Sequence, residues 1–161
     1  MRLNAGNMLG DYNDGTNVWE SDKFFNPEAN SREYVAEMLE IANTDSPYLF
    51  QSERYDRKKG DDLTYTFPVN KAGRYRVTMY FAEIFETSAG SRVFNVLING
   101  AIVLPALDIF AEVGYAQPLE ATFEVETVGQ EPIVASFQHI TGDTKVSGFW
   151  VRDFVYSLEK R

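Results

Sequence analysis

Residues 73–100 contain two consecutive runs in which apolar and polar side chains alternate with a period of two. The apolar positions of the two runs are Tyr75, Val77, Met79 and Phe81, followed by Phe94, Val96 and Ile98. Such alternation of aromatic and β-branched residues is typical of strands with one buried face. Asn99-Gly100, which follows the second run, is a common two-residue hairpin turn. The segment therefore predicts a central β-hairpin whose two strands are joined by residues 84–91.

The same alternation recurs along the rest of the chain. Further runs occupy residues 63–69, 121–128, 133–140 and 149–158, and turn-forming Gly, Pro, Asn and Asp residues separate them. Eight or more short strands at regular spacing predict an all-β fold, a jelly-roll β-sandwich. The apolar positions give an expected core of Leu49, Leu63, Tyr65, Phe67, Tyr75, Val77, Met79, Phe81, Phe94, Val96, Ile98, Phe123, Val125, Phe137, Phe149 and Val151.

Three segments carry other patterns. After Ser31, a typical helix N-cap residue, apolar side chains recur at helical spacing at Tyr34, Val35, Met38, Leu39 and Ala42. Residues 31–41 therefore predict a short helix. Residues 47–55 (PYLFQSERY) predict a strand, and residues 107–110 (LDIF) predict a buried corner. The expected sandwich thus has at most one short helix.

Size and charge narrow the class of protein. A chain of 161 residues predicts one domain. It has no cysteine, which excludes disulfides and thiol chemistry. Its 15 Lys and Arg residues against 24 Asp and Glu residues give a net charge of −9, which repels phosphate backbones and disfavours nucleic acid as a partner. No apolar run approaches ~18 residues, so we expect no membrane insertion.

The sequence contains few of the residue patterns that catalysis requires. His139 is the single histidine, and the alternation places it on a face with Ile133, Ala135 and Phe137, so we expect a structural role. No G-x-S-x-G motif or glycine-rich phosphate loop is present. The composition does not exclude a carboxylate pair for glycoside hydrolysis, but most acids lie in turns or point outward from strands. The sequence therefore predicts a protein that is not an enzyme.

Glu83 and Asp108 differ from the other acids, because each interrupts an apolar run. Buried carboxylates require partners, and Arg54, Arg74 and Arg92 are available. We expect both acids to be structural first and functional second.

Asp11, Asn13 and Asp14 crowd one turn, and calcium uses oxygen-rich turns of this kind. Their spacing does not match the twelve-residue calcium loop, so local Asx-turns are the preferred interpretation and calcium a weaker one. Asp143, in the turn TGDT, is weaker still.

Loop aromatics offer a binding alternative. Tyr34, Tyr55 and Phe85 can stack on sugar C–H patches, and acids near them can accept hydrogen bonds from vicinal hydroxyls. Each also has a structural interpretation of equal weight. Tyr34 could lie on the apolar face of a helix, Tyr55 could cap the core, and Phe85 could fold back under its own loop.

Several motifs together resemble the malectin family of carbohydrate-binding domains. They are RLNAG at 2–6, Gly15 with Trp19 and Asp22, YLFQSERY at 48–55, GRYRV at 73–77 running into FAEI at 81–84, RVFNV at 92–96, ING at 98–100 and LDI at 107–109. Their order and spacing hold across nearly the whole chain.

This resemblance implies a galactose-binding-like jelly roll that binds neutral, glucose-type oligosaccharides without turnover. The ligand-binding residues that it implies are Tyr34, Tyr55, Phe85, Glu86 and Asp153. Glu86 stands where the family has a second aromatic, which replaces a stacking face with a carboxylate. A structural or protein-binding module that has lost sugar affinity is the alternative.

The resemblance also suggests a context for the chain. We expect residues 1–161 to be a single domain excised from a larger multidomain protein, with other domains of that protein as neighbours. The acidic surface suits a secreted or cell-surface protein, so we expect an extracellular or cell-surface location, with the ER lumen or cytoplasm as alternatives.

Overall fold

The computed structural model describes residues 1–57 and 59–154, which are built mainly from antiparallel strands. In chain order the elements are β1 (Arg2–Asn4), β2 (Tyr12–Asn13), β3 (Val18–Trp19), β4 (Ser31–Val35), α1 (Pro47–Gln51), β5 (Ser52–Asp56), β6 (Leu63–Phe67), β7 (Gly73–Phe81), β8 (Val93–Ile98), β9 (Ala101–Leu107), α2 (Ile109–Val113), β10 (Leu119–Thr127), β11 (Ile133–Thr141), β12 (Thr144–Val146) and β13 (Gly148–Asp153). Among these residues no helix is long and apolar enough to cross a membrane.

Two four-stranded sheets form the layers of a β-sandwich, as the alternation predicts. Their strand orders are β1-β13-β7-β10 and β6-β11-β8-β9. A three-stranded sheet, β12-β5-β4, adjoins the first sheet because only Ser147 separates β12 from β13. β2 and β3 form a separate short antiparallel pair.

Aromatic side chains fill the space between the two layers. The ring of Phe149, on β13, lies 4.6 Å from that of Tyr65, 4.9 Å from that of Phe67 and 6.3 Å from that of Phe137. These partners lie on β6 and β11, so the contacts bridge the sheets and bury apolar area from both.

The predicted core residues are buried, with two exceptions on one strand. Phe123 and Val125 are only partly buried, because they lie on β10, the last strand of its sheet. Leu49 is buried in a separate apolar cluster with Trp19 and Tyr80.

The prediction of a central hairpin is wrong in its pairing. β7 pairs with β13 and β10, whereas β8 pairs with β11 and β9 in the other sheet. Residues 84–91 therefore cross between layers, and Phe81 faces Phe94 with ring centroids 6.3 Å apart. Alternation identifies the buried face of a strand, but it carries no information about which strand lies beside it.

The Asn99-Gly100 turn is confirmed. It joins β8 to β9, where Ile98 pairs with Ala101. Both turn residues have positive φ, 49° and 82°, which a type I′ turn requires.

The predicted helix at 31–41 is also wrong. Ser31–Val35 forms strand β4 and pairs with β5, because backbone pairing with a neighbouring strand outweighs a weak helical spacing. Met38, at φ 67°, lies in a turn rather than a helix.

Two short helices form where a strand and a corner were predicted. Pro47 begins α1 at a position where its missing N–H costs nothing, and β5 starts only at Ser52. Asp108 caps α2, its Oδ1 accepting from the amide of Ala111 at 3.0 Å. The described part of the chain therefore contains two short helices instead of at most one. The predicted last strand ends at Asp153, and residues 155–158 lie outside the described residues.

Candidate functional site

One pocket of about 190 Å³ lies where the three-stranded sheet meets the connection between β7 and β8. It is lined by Tyr34, Glu53, Tyr55, Arg57, Phe85, Arg92 and Asp143. All three aromatic residues singled out in the sequence thus converge on one surface.

Strand periodicity explains why β5 contributes several of these side chains. Successive side chains on a strand point to opposite faces, so Glu53 and Tyr55 share a face that continues to Arg57. Residues directly opposite on paired strands also share a face. Tyr34 is paired with Glu53, and Lys145 is paired with Tyr55. One face of the three-stranded sheet therefore carries the side chains of Tyr34, Tyr55, Glu53 and Lys145.

Phe85, in the connection between β7 and β8, is the third aromatic residue that lines the pocket. Its ring is 61% exposed and contacts the ring of Tyr34 edge to face, with centroids 5.9 Å apart and planes at 86°. Edge-to-face packing is a favoured aromatic geometry, and it leaves part of each ring open to a ligand.

The floor of the pocket holds buried charges. Lys145 forms an ion pair with Glu53, and Glu83 forms one with the Nε of Arg92 at 2.9 Å. Burial lowers the pKa of Lys145, while the carboxylates of Glu53 and Glu83 act in the opposite direction. The expectation that Glu83 is a paired, buried acid is confirmed.

Asp143 supplies the remaining acidic side chain. It lies in the turn before β12, and its backbone carbonyl accepts from Nη1 of Arg92 at 3.5 Å. Its carboxylate has no hydrogen-bond or ion-pair partner among the residues that the structure describes. It is therefore available to a ligand.

Asp153 lies away from this pocket. It is paired with Tyr75 near the start of β7, whereas Phe85 follows the end of that strand. Its exposed carboxylate forms an ion pair with Lys71 at 3.0 Å. Asp143, and not Asp153, lines this pocket, and a role of Asp153 in ligand binding stays a prediction.

Glu86 follows Phe85 but does not line the pocket. Its side chain is half-buried, and its backbone N–H donates to Oε1 of Glu83 at 2.9 Å. A direct role of Glu86 in ligand binding stays a prediction.

The turn considered for calcium uses its oxygens locally. Asp11 accepts from the amide of Ser21, and Asn13 accepts from that of Gly15, both at 2.8 Å. Asp14 accepts from two nearby amides, from the indole of Trp19 at 2.8 Å and from Ser46 at 2.6 Å. Within the described part of the chain, no group of three or more His, Cys, Asp or Glu could hold a metal ion.

His139 is held at both ring nitrogens, outside the pocket. Nε2 lies 2.9 Å from the carbonyl oxygen of Asp56, and Nδ1 lies 3.4 Å from Oδ1 of Asp62. These contacts match the structural role that the alternation predicts.

Sequence reasoning missed four lining residues: Glu53, Arg57, Arg92 and Asp143. One signal was available, because the alternation of SERYDR assigns Glu53 and Arg57 to the face of Tyr55. Nothing in the sequence pairs β12 with β5, so nothing there brings Asp143 beside Tyr55.

Comparisons with known proteins agree with the fold. The family model of the Malectin domain matches residues 1–153. Malectin-B of Xenopus laevis is 33% identical over 75 residues, which cover 47% of this chain and 26% of that protein. Receptor-like protein 4 of Arabidopsis thaliana is 30% identical over 173 residues, covering 94% of this chain and 27% of that protein. The matches thus span about a quarter of the length of these relatives.

Solved structures share the fold at lower identity. The complex of the plant peptide RALF23 with FER and LLG2 contains a chain with a TM-score of 0.84 and 17% identity, covering 97% of this chain and 48% of that one. The ANX2 ectodomain of Arabidopsis thaliana gives a TM-score of 0.82 and 17% identity, covering 98% of this chain and 50% of that one.

Proposed function

Because this chain belongs to the malectin domain family, a family of carbohydrate-binding modules, we propose that it binds a neutral, glucose-type oligosaccharide without chemical turnover. The observation that carries the proposal is the convergence of Tyr34, Tyr55 and Phe85 around a pocket that also holds Asp143, whose carboxylate has no hydrogen-bond or ion-pair partner within residues 1–57 and 59–154. Aromatic faces and a hydrogen-bonding acid are what a pyranose ring requires.

The size of the pocket sets how much ligand it can enclose. Its volume of about 190 Å³ is smaller than the ~300–1,000 Å³ of typical small-molecule sites. We therefore propose that one sugar ring enters the pocket, while neighbouring sugars lie outside along the exposed ring of Phe85.

The proposed roles follow from chemistry and position. Tyr34, Tyr55 and Phe85 contact the C–H faces of the sugar. Asp143 accepts hydrogen bonds from two hydroxyls, which is favoured because a carboxylate offers two acceptor oxygens. Arg57 donates to further oxygens at the rim. The charges of Glu53 and Arg92 are already paired, so they shape the floor.

A panel of neutral oligosaccharides tests the proposal. We expect at least one binder by titration calorimetry, and Tyr55→Ala should weaken its binding by about 30-fold, since truncating a central aromatic contact costs about 2 kcal/mol. The matched control is Tyr12→Ala, because Tyr12 is also half-buried but packs on Tyr48 outside the pocket. Equal losses in both variants would contradict the proposed site.

A protein-binding role is the second candidate. The FER structure is a complex with a peptide, and Glu86 stands where the family has a second aromatic. A panel without any binder, with and without calcium, would favour this role. Release of reducing sugar that depends on a single carboxylate would instead indicate an enzyme.

We further propose that residues 1–161 are one domain of a larger extracellular or cell-surface protein, with the ER lumen as the alternative. The ectodomain structures with the same fold support this context.

A further inference from the structure

Four charged side chains are almost completely buried beneath the pocket. The exposed fractions are 2% for Glu53, 1% for Glu83, 4% for Arg92 and 0% for Lys145. Burying charge carries a desolvation penalty that a well-packed apolar group avoids, so stability alone does not explain such a cluster.

Each of these charges contacts a segment that lines the pocket. Oε1 of Glu83 accepts from the backbone amides of Phe85 at 3.1 Å and of Glu86 at 2.9 Å. Arg92, paired with Oε2 of Glu83, donates to the carbonyl of Asp143. The backbone of Phe85 and Glu86 is therefore hydrogen-bonded to the buried carboxylate of Glu83.

The second ion pair, between Lys145 and Glu53, connects β12 to β5. Lys145 donates to the carbonyl of Ala82 and pairs with Glu53, two residues before Tyr55. Three segments that are distant in sequence are thus joined through two ion pairs: β5, residues 82–92 and residues 143–145.

The backbone after β7 shows why a carboxylate is needed. Phe85 and Glu86 lie beyond the last pairing of the strand, so their amides need another acceptor. One ionised oxygen satisfies both amides, which a neutral apolar side chain could not do.

We propose that Glu83 is a positioning residue for the glycan site, which fixes the Phe85 ring through the backbone while Arg92, Lys145 and Glu53 hold it in place. This inference rests on the proposed function, because positioning matters only if Phe85 contacts a ligand.

Two double variants isolate the acceptor. Glu83→Gln with Arg92→Met and Glu83→Leu with Arg92→Met both remove the ion pair without leaving a buried unpaired charge. Only the first keeps an acceptor oxygen for the two amides. Since both lose Arg92, differences between them report the acceptor alone.

Amide hydrogen exchange at Phe85 and Glu86 gives one measurement, and the dissociation constant for the best panel glycan gives the other. We expect both amides to exchange about tenfold faster in the leucine variant than in the glutamine variant, and its affinity to be about tenfold weaker. Equal exchange in the two variants, or unequal exchange with equal affinity, would overturn the proposal.

Ile133→Ala serves as the control for general loosening. Ile133 is fully buried on β11, is paired with Phe67 on β6 and does not line the pocket. This variant should lower the melting temperature without changing exchange at Phe85 or affinity. Faster exchange at Phe85 in this control would indicate general loosening and contradict the inference. If the native protein binds no glycan, the proposed function fails, while the exchange comparison still decides whether Glu83 orders Phe85.

Discussion

Among the charged side chains that line the pocket, Asp143 differs from Glu53 in one respect. Glu53 is neutralised by Lys145, whereas the carboxylate of Asp143 has no such partner among the described residues. An ionised oxygen that is not already hydrogen-bonded gives up only water when a ligand hydroxyl arrives. If the proposed function holds, Asp143 is therefore the acid of the pocket best placed to accept hydrogen bonds from sugar hydroxyls.

A pair of substitutions decides between the two aspartates of the site hypothesis. Asp143→Asn should weaken glycan binding about tenfold, because a charge-assisted hydrogen bond becomes a neutral one. Asp153→Asn should leave the dissociation constant unchanged, since Asp153 lies near the start of β7. Calorimetric titration of both variants measures this. A larger loss in Asp153→Asn than in Asp143→Asn would restore the aspartate that the resemblance implied.

Among the elements of the fold, strand β5 carries polar side chains on both of its faces, some lining the pocket and some buried against the core. Its alternation turns Glu53 and Tyr55 to the pocket and Arg54 to the opposite face. There Arg54 pairs with Asp22, whose other oxygen accepts from the hydroxyl of Tyr65 at 2.9 Å. One short strand therefore anchors the site and also joins it to the core of the sandwich.

The connection between β2 and β3 is held by the carboxylate of Asp14, which accepts several hydrogen bonds. Burial raises the pKa of Asp14, but hydrogen bonds from Ser46, Trp19 and two amides outweigh this and hold that pKa well below its usual value of 3.8. A depressed pKa means that this carboxylate stabilises the fold above about pH 4, and the contribution is lost as the pH falls toward the folded-state pKa.

We therefore expect Asp14→Asn to lower the melting temperature near neutral pH by more than it does at pH 2. Thermal melts followed by circular dichroism between pH 2 and 7 measure the difference. Glu28→Gln, at an exposed position, is the control and should leave the profile unchanged. A constant difference between native protein and Asp14→Asn at all pH values would contradict the role of this ionised group.

At the scale of the whole molecule, the connection between β7 and β8 places the site. Because β7 and β8 belong to different layers, residues 84–91 cross the end of the sandwich. β12 and β13 are separated by a single residue, so the three-stranded sheet lies at the same end. The pocket forms where these two features meet, outside the apolar core.

The packing between the two layers gives a stability prediction. Phe149 is fully buried and contacts rings from the opposite sheet, so Phe149→Ala should reduce the free energy of unfolding by about 3–5 kcal/mol. Urea denaturation measures the change. Val128→Ala, at a side chain that is 75% exposed, should alter it by less than about 0.5 kcal/mol. A small effect of Phe149→Ala would mean that the layers do not depend on this contact.

Local patterns in the sequence predict which faces of the strands are buried, where the Asn99-Gly100 turn falls and that the fold is all-β. These features depend on side chains a few residues apart, so a local pattern contains them. The three aromatics that line the pocket were also singled out in the sequence, where Tyr55 lies within a family motif and Phe85 directly follows one.

Which strands pair and which charges meet depends instead on packing between segments that are distant in the chain. Residues 31–35 became a strand because β5 lies beside them, and β7 and β8 went to separate sheets. Asp143 lies in the pocket with Tyr55 because β12 pairs with β5. Each outcome depends on groups far apart in the chain, whose meeting is set by the packing of the whole molecule and leaves no periodic trace in the sequence.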